Sequence, residues 1–244
     1  MESDIVISIK NLTKTFNKKT VFKSLEIQIP KGRFTSFVGP SGCGKSTLLK
    51  MIAGLEKPDS GDFSIHPSSK SLGFVFQEAN LLPWKSVYEN TKLPLELGPQ
   101  KPKFPESEIA DRIMMMLERV KLIDAAHLYP HQLSGGMKMR VSLARSLITN
   151  PSLLLLDEPF AALDEKTRFE MQDLLLEIWD KERQTIVFVT HSLYEAIYLS
   201  QRIVVLGTEG SGILNDKEII FTEPRSKKLR TSLEFNNYLK QFIL

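Results

Sequence analysis

The stretch Gly39-Pro40-Ser41-Gly42-Cys43-Gly44-Lys45-Ser46-Thr47 decides the fold. It fits G-x-x-x-x-G-K-[ST] and stands at a strand–loop–helix junction, the context in which that pattern has a mechanism. Phe34-Thr35-Ser36-Phe37-Val38 reads as a buried strand, and Leu48, Leu49, Ile52 and Leu55 recur at helical spacing. Glycines at 39, 42 and 44 let the backbone close around an anion with its N–H groups inward. The helix that begins there adds free amides and the positive end of its dipole. Lys45 can reach β- and γ-phosphates, and the Ser46 hydroxyl can ligate Mg²⁺. The bland alternative, a Gly-rich turn with a chance lysine, leaves the complete pattern unexplained. The stretch reads as a nucleoside triphosphate site. Cys43 lies inside it, so its thiol is expected near bound phosphate, with a buried, inert thiol as the alternative.

Outward from the loop the pattern alternates between strands and helices. Residues 5–38 read as β, with Ile5–Ile9, a turn at Asn17-Lys18-Lys19, Val21–Ile29 and Arg33–Val38. Glu2, Asp4 and the alternating Ile5, Ile7 and Ile9 resemble a strand start and not a signal peptide. Lys57–Gly61 reads as a loop and Leu72–Gln77 as a strand ending on a polar residue. From Glu78 to Asn150 the character is helical, with Pro99, Pro102 and Pro105 breaking the chain before a helix near Ser107. That helix carries Ile109, Ile113, Met116, Leu117 and Val120 on one face, and its run Met114-Met115-Met116 is expected to fill core gaps, with a sticky surface as the alternative. A second helix starts at Ser134-Gly135-Gly136, with Met137, Val141, Ala144 and Ile148 on one face. Leu153–Leu156, Thr185–Thr190 and Ile203–Leu206 are continuous apolar runs, the mark of parallel strands covered on both faces. Helices are expected between them at Glu165–Glu182 and Leu193–Ser200. Such a chain places its ligand at the carboxyl ends of the strands.

Composition narrows the class further. The chain has 244 residues, net charge +3 and one cysteine, so it can bury a large core but form no internal disulfide. No apolar run approaches the roughly 18–20 residues needed to cross a bilayer, and a soluble chain is expected.

Further residues point to the same edge. Leu153–Leu156 runs into Asp157-Glu158-Pro159, so Asp157 can hold Mg²⁺ and Glu158 can polarise an attacking water. His191 follows Thr190 and can contact a γ-phosphate, while Gln77 can touch Mg²⁺ or the water. Phe16 can stack on a base or belong to the core. Leu133-Ser134-Gly135-Gly136-Met137 makes a second capped helix start with free amides. It is either half of a composite anion site completed by another molecule, or simply a well-capped helix.

Gly39–Thr47, Gln77, Leu133–Met137, Leu153–Pro159, Ala162-Leu163-Asp164 and His191 stand in the order and spacing of an ABC transporter ATPase, which the chain resembles to about residue 215. The resemblance implies an α/β fold: a P-loop NTPase (RecA-like) core with an N-terminal antiparallel β subdomain and an inserted α-helical subdomain. It divides the chain into an ATPase domain at 1–214 and a C-terminal tail at 215–244. Within the domain the core takes 1–77, with the β subdomain, and 151–214, and the helices take about 78–150. It implies ATP and Mg²⁺ as cofactors, Phe16 against adenine, Asp164 signalling across a dimer and His191 as a switch histidine. Two subunits are then expected to sandwich two ATP molecules between one phosphate loop and the partner's Ser134-Gly135-Gly136. Gln77–Trp84 and the helices are expected to receive an integral-membrane permease at the cytoplasmic face of the inner (plasma) membrane, with a solute-binding protein as an indirect partner. No nucleic acid is expected.

Leu82-Pro83-Trp84 with Val87–Asn90, Pro130-His131-Gln132 and Pro159–Asp164 resemble the nitrate/sulfonate/taurine importer group, and pyrimidine-precursor importers share many of these features. Met137 and Met139 depart from the glutamines common in the family. A non-transport ABC ATPase acting on nucleic acid or ribosomes would carry a coiled-coil insertion or a second cassette. A P-loop kinase would not need Leu133–Met137 or His191. In the tail, Arg225, Lys227, Lys228 and Arg230 read as a solvated cluster or an anionic-surface contact, and Phe235, Tyr238, Leu239, Phe242 and Ile243 as a helix packed on the core.

Overall fold

Leu153–Asp157 and Thr185–Thr190 are buried at every position. A strand can satisfy that only when both faces of its sheet are covered. The computed structural model describes residues 5–17, 19–66, 71–97, 105–208 and 210–243. Expectations placed on Glu2, Asp4, Lys18, Pro99, Pro102 and the side chain of Ile243 lie outside the described residues.

In chain order the elements are β1 (Ile5–Phe16), β2 (Lys19–Pro30), β3 (Phe34–Val38), α1 (Lys45–Ile52), β4 (Ser60–Ile65), β5 (Leu72–Val75), α2 (Val87–Glu96), α3 (Glu106–Arg119) and α4 (Gly135–Leu147). Then follow β6 (Leu153–Asp157), α5 (Glu165–Glu182), β7 (Thr185–Thr190), α6 (Leu193–Leu199), β8 (Arg202–Leu206), β9 (Ile213–Glu218) and α7 (Leu233–Ile243). A six-stranded sheet has the order β5-β6-β7-β3-β8-β9, parallel throughout except for β9, which runs antiparallel to β8. A three-stranded antiparallel sheet, β2-β1-β4, lies apart from it. The fold class is the one expected: an α/β core with an antiparallel β unit and a run of inserted helices.

Two hydrophobic cores flank the large sheet, and strand alternation assigns each side chain to one of them. Leu153, Leu155, Val187, Val189 and Phe37 pack with α1 and the β1–β2 hairpin. Leu154, Leu156, Ile186, Phe188 and Phe34 pack with the helices on the other face. Among those helices, α4 and α5 meet closely. A Cβ at Gly136 would collide with Thr167 Cγ2, so only glycine fits there.

Several expectations change in the structure. Helix α1 ends at Ile52, and Leu55 lies in the following turn, 63% exposed. Strand β5 stops at Val75, short of Gln77. Met114 and Met115 are exposed, and only Met116 packs on the core. Part of the stretch read as a loop, from Ser60, belongs to β4.

The segment after 214 is no loose tail. The boundary at 214/215 falls inside β9, and Phe235 and Leu239 of α7 are core residues. Arg225 is not solvated: its guanidinium donates to Ser200 O and lies over Phe221. Arg230 donates to Asp173 at 2.8 Å and to Gln172 at 3.1 Å, and it lies 3.6 Å from the Tyr198 ring centroid. Among the described residues no helix is long and apolar enough to cross a membrane.

Phe34 is fully buried, with Trp179 and Phe188 at centroid distances of 6.3 and 5.9 Å, both edge-on. Phe34→Ala should therefore cost about 3–5 kcal/mol. Urea denaturation checks this, and an unchanged midpoint at an unchanged slope would contradict the packing.

Candidate active site

Parallel register brings three strand ends to one edge of the sheet. Val38 pairs with Thr190, and Asp157 with Val189. Strand β3 therefore runs into the glycine loop where β6 ends on its carboxylates and β7 runs into His191. Helix α1 returns over β6 and β7, which carries the start of the loop helix across to the acids.

Alternation then chooses the side. Asp157 is in phase with Leu153 and Leu155, so it faces α1, and its Oδ1 accepts a hydrogen bond from Ser46 Oγ at 2.8 Å. Burial is the largest influence on this carboxyl and raises its pKa above the ordinary value, with the Ser46 hydroxyl opposing the rise. Oxygen ligands of this kind, a hydroxyl and a carboxylate, suit Mg²⁺. A divalent ion would also remove the penalty of a buried negative charge.

Gly44 has φ +105°, and a Cβ there would lie 2.6 Å from Phe22 Cζ, so the turn into α1 needs glycine. Lys45 is 4% exposed, and its ammonium donates to Gly39 O at 2.8 Å and to Pro40 O at 3.0 Å. Pro40, Ser41 and Gly42 form an exposed rim, while Ser46 and Thr47 are half-buried in the first turn. The Cys43 thiol belongs to the core on the α1 side and is 1% exposed. The expectation of a phosphate-facing thiol gives way to the buried alternative.

Glu158 leaves β6 with φ +43°, and its N–H donates to Val189 O at 2.9 Å. Its carboxylate stands between two basic groups, with Oε1 3.8 Å from Lys45 Nζ and Oε2 2.8 Å from His191 Nδ1. A carboxylate so placed can accept a proton from a water held beside a phosphate. Gln77 is exposed, two residues past β5. Phe16 is 41% exposed at the tip of the β1–β2 hairpin, with Lys14 Nζ 4.7 Å from its ring centroid. Residues Val21 and Phe22 of the same hairpin are those that crowd Gly44.

The second glycine segment stands apart from this cluster. Ser134 caps α4 by accepting from Met137 N–H at 3.3 Å, and Ser134 and Gly135 are exposed. Asp164 caps α5 by accepting from Thr167 N–H at 3.0 Å, which holds its carboxyl below the usual range. Among the described residues, no hydrogen bond or ion pair joins Ser134 or Gly135 to the loop, Asp157, Glu158 or His191.

Three participants escaped sequence reasoning. Arg145 of α4 donates to Ala79 O and Asn80 O, both at 2.8 Å, and so clamps the segment that follows Gln77. Arg168 and Glu195 meet beside Thr190. A charge at the margin of an apolar helical stripe was the only sign of any of them in the sequence.

A family model described as ABC transporter matches residues 22–161, more than half of the chain. The chain belongs to the ABC transporter family. The aliphatic sulfonates import ATP-binding protein SsuB of Bacillus cereus is 42% identical over 98% of this chain and 96% of its own length. The protein of the same name from Zymomonas mobilis is 41% identical over 98% and 97%. Among solved structures, the dimeric ABC transporter cassette MJ0796 matches with TM-score 0.77 and 33% identity over 88% of this chain and 99% of that one. The same cassette in a post-hydrolysis state bound to ADP and Pi matches equally, at 32% identity. The chain is an ATP-binding ABC ATPase.

Lys45→Ala should remove the one ammonium that the loop encloses and weaken ATP binding severely. Calorimetric titration checks this; near-normal affinity would show that Lys45 does not meet the phosphates.

Proposed function

We propose that this chain is the ATP-hydrolysing subunit of an ABC importer and works as a homodimer around two MgATP. The observation that carries hydrolysis is Glu158, held between Lys45 at 3.8 Å and His191 at 2.8 Å beside the Ser46–Asp157 pair, while the relatives named for import and the dimeric cassette support the importer role and the homodimer. Lys45 and the loop amides hold the β- and γ-phosphates. Ser46 and Asp157 would hold Mg²⁺, and Gln77 would contact it or the water. When bound, Mg²⁺ neutralises charge on the transferring phosphoryl group. Water attacks the γ-phosphorus, its proton passes to the Glu158 carboxylate, and ADP leaves. His191 orients Glu158 and reaches toward the γ-phosphate. Phe16 stacks on adenine. The exposed Ser134-Gly135-Gly136 start of α4 completes the partner subunit's site, and Asp164 lies at that junction.

The permease is a separate membrane protein, so this subunit sits peripherally on the cytoplasmic side. The relatives named for sulfonate import support a small anionic solute of that class, delivered by a solute-binding protein. The structure also supports a core formed by residues before 78 and after 150, with helices α2–α4 as the inserted unit.

Glu158→Gln separates binding from chemistry. Glutamine keeps the size but accepts no proton, so hydrolysis should fall by about two decades or more while ATP affinity holds. The variant should also shift from monomer to dimer on size exclusion with ATP. Ser134→Arg should bind ATP as an isolated subunit yet neither dimerise nor hydrolyse. Wild-type turnover in Glu158→Gln would remove the general base, and full activity in Ser134→Arg would remove the composite site.

A further inference from the structure

The residue before His191 is tied down more firmly than a strand end requires. Thr190 Oγ1 donates to Glu195 Oε2 at 2.6 Å and accepts from Ser192 N–H at 3.0 Å, so one hydroxyl pins the backbone on both sides of His191. Glu195 is 6% exposed in the first turn of α6. Its other oxygen, Oε1, lies 3.8 Å from Arg168 Nε. That nitrogen is buried and has no hydrogen-bond partner among the described residues. The far end of Arg168 donates to Leu163 O at 2.8 Å, directly before Asp164. A buried donor facing a buried carboxylate just beyond bonding distance is a contact left open, since an unmade bond there is costly. A small shift of either helix start would close it.

We propose that Arg168 and Glu195 are a positioning pair, which closes as the Asp164 loop moves and sets His191 against Glu158. Neither residue touches the reacting atoms. The pair acts through Thr190 on the backbone of His191, and through Leu163 it senses the loop that meets the second subunit. This rests on Glu158 and His191 acting together in hydrolysis.

The test is steady-state ATPase kinetics with the full chain, together with ATP-dependent dimerisation. Glu195→Gln keeps an acceptor for Thr190 but removes the charge facing Arg168. It should lower kcat by about tenfold or more, as loss of an orienting partner does elsewhere, with the KM for ATP unchanged. In a Glu158→Gln background it should leave the ATP-dependent dimer intact. In a His191→Ala background it should add no further loss, because residues that act through one another are not additive. Thr190→Val should reproduce the defect and Thr190→Ser should rescue it, and this pair decides the matter if Glu195→Gln does not fold. Wild-type kcat in Glu195→Gln, additive losses with His191→Ala, or equal defects in both Thr190 variants would overturn the positioning pair. Wild-type turnover in His191→Ala alone would instead overturn the underlying Glu158–His191 reading.

Discussion

A buried ammonium group needs oxygen around it, because an uncompensated charge cannot leave water cheaply. Lys45 is such a group, and much of the site follows from satisfying it. Two carbonyls of its own loop supply the nearest oxygens, and they reach the ammonium only because the chain turns tightly from Gly39 to Gly44. Glu158 supplies the opposing charge from β6, two strands away from β3. That partner is in range because α1 packs back over β6 and β7, bringing Lys45 and Ser46 over the acids.

Asp157 shows the same constraint with the opposite sign. Its raised pKa means that the folded chain holds the proton more tightly than the unfolded chain does. That contribution to stability is complete below the ordinary carboxylate range and is lost as pH rises through the raised value. Burial thus disfavours the charged form of this carboxylate, a penalty that a cation beside it would offset. The site is organised for charge that the chain alone does not carry.

The central strands were legible because burial on both faces leaves no room for polar residues. Leu153–Leu156 and Thr185–Val189 state this position by position. The loop was legible because each of its requirements is local: a turn, an amide, a lysine. Strands β4 and β9 were not, since Ser-Gly-Asp-Phe-Ser-Ile and Ile-Leu-Asn-Asp-Lys-Glu are half exposed, and pairing with a neighbour decides their state. Helix α2 was obscured by Pro94 and is fixed instead by the Ser86–Glu89 capping box. Arg145, Arg168 and Glu195 were illegible for a different reason. Arg145 meets carbonyls of a distant segment, and Arg168 meets Glu195 on another helix, so no local pattern encodes either meeting.

The contact between α4 and α5 bears on why the second glycine segment stays unused within one subunit. Gly136 lies directly against Thr167, and Arg140 reaches Glu170 at 3.3 Å, so the two helix starts are fixed to each other. Asp164, by capping α5 through the same Thr167, joins the loop it sits on to that block. The amides at the start of α4 therefore cannot swing toward the subunit's own phosphate loop without dragging α5 along. Helix α5 is anchored at its far end by Trp179 against Phe34 and along its length by Arg230 on Asp173. For the proposed composite site, a start of α4 that is fixed on α5 would cost little to complete, because little conformational freedom would remain to be lost when an anion arrives. The packing of α4 on α5 is thus consistent with the proposal that a second copy, and not the same chain, presents the phosphate.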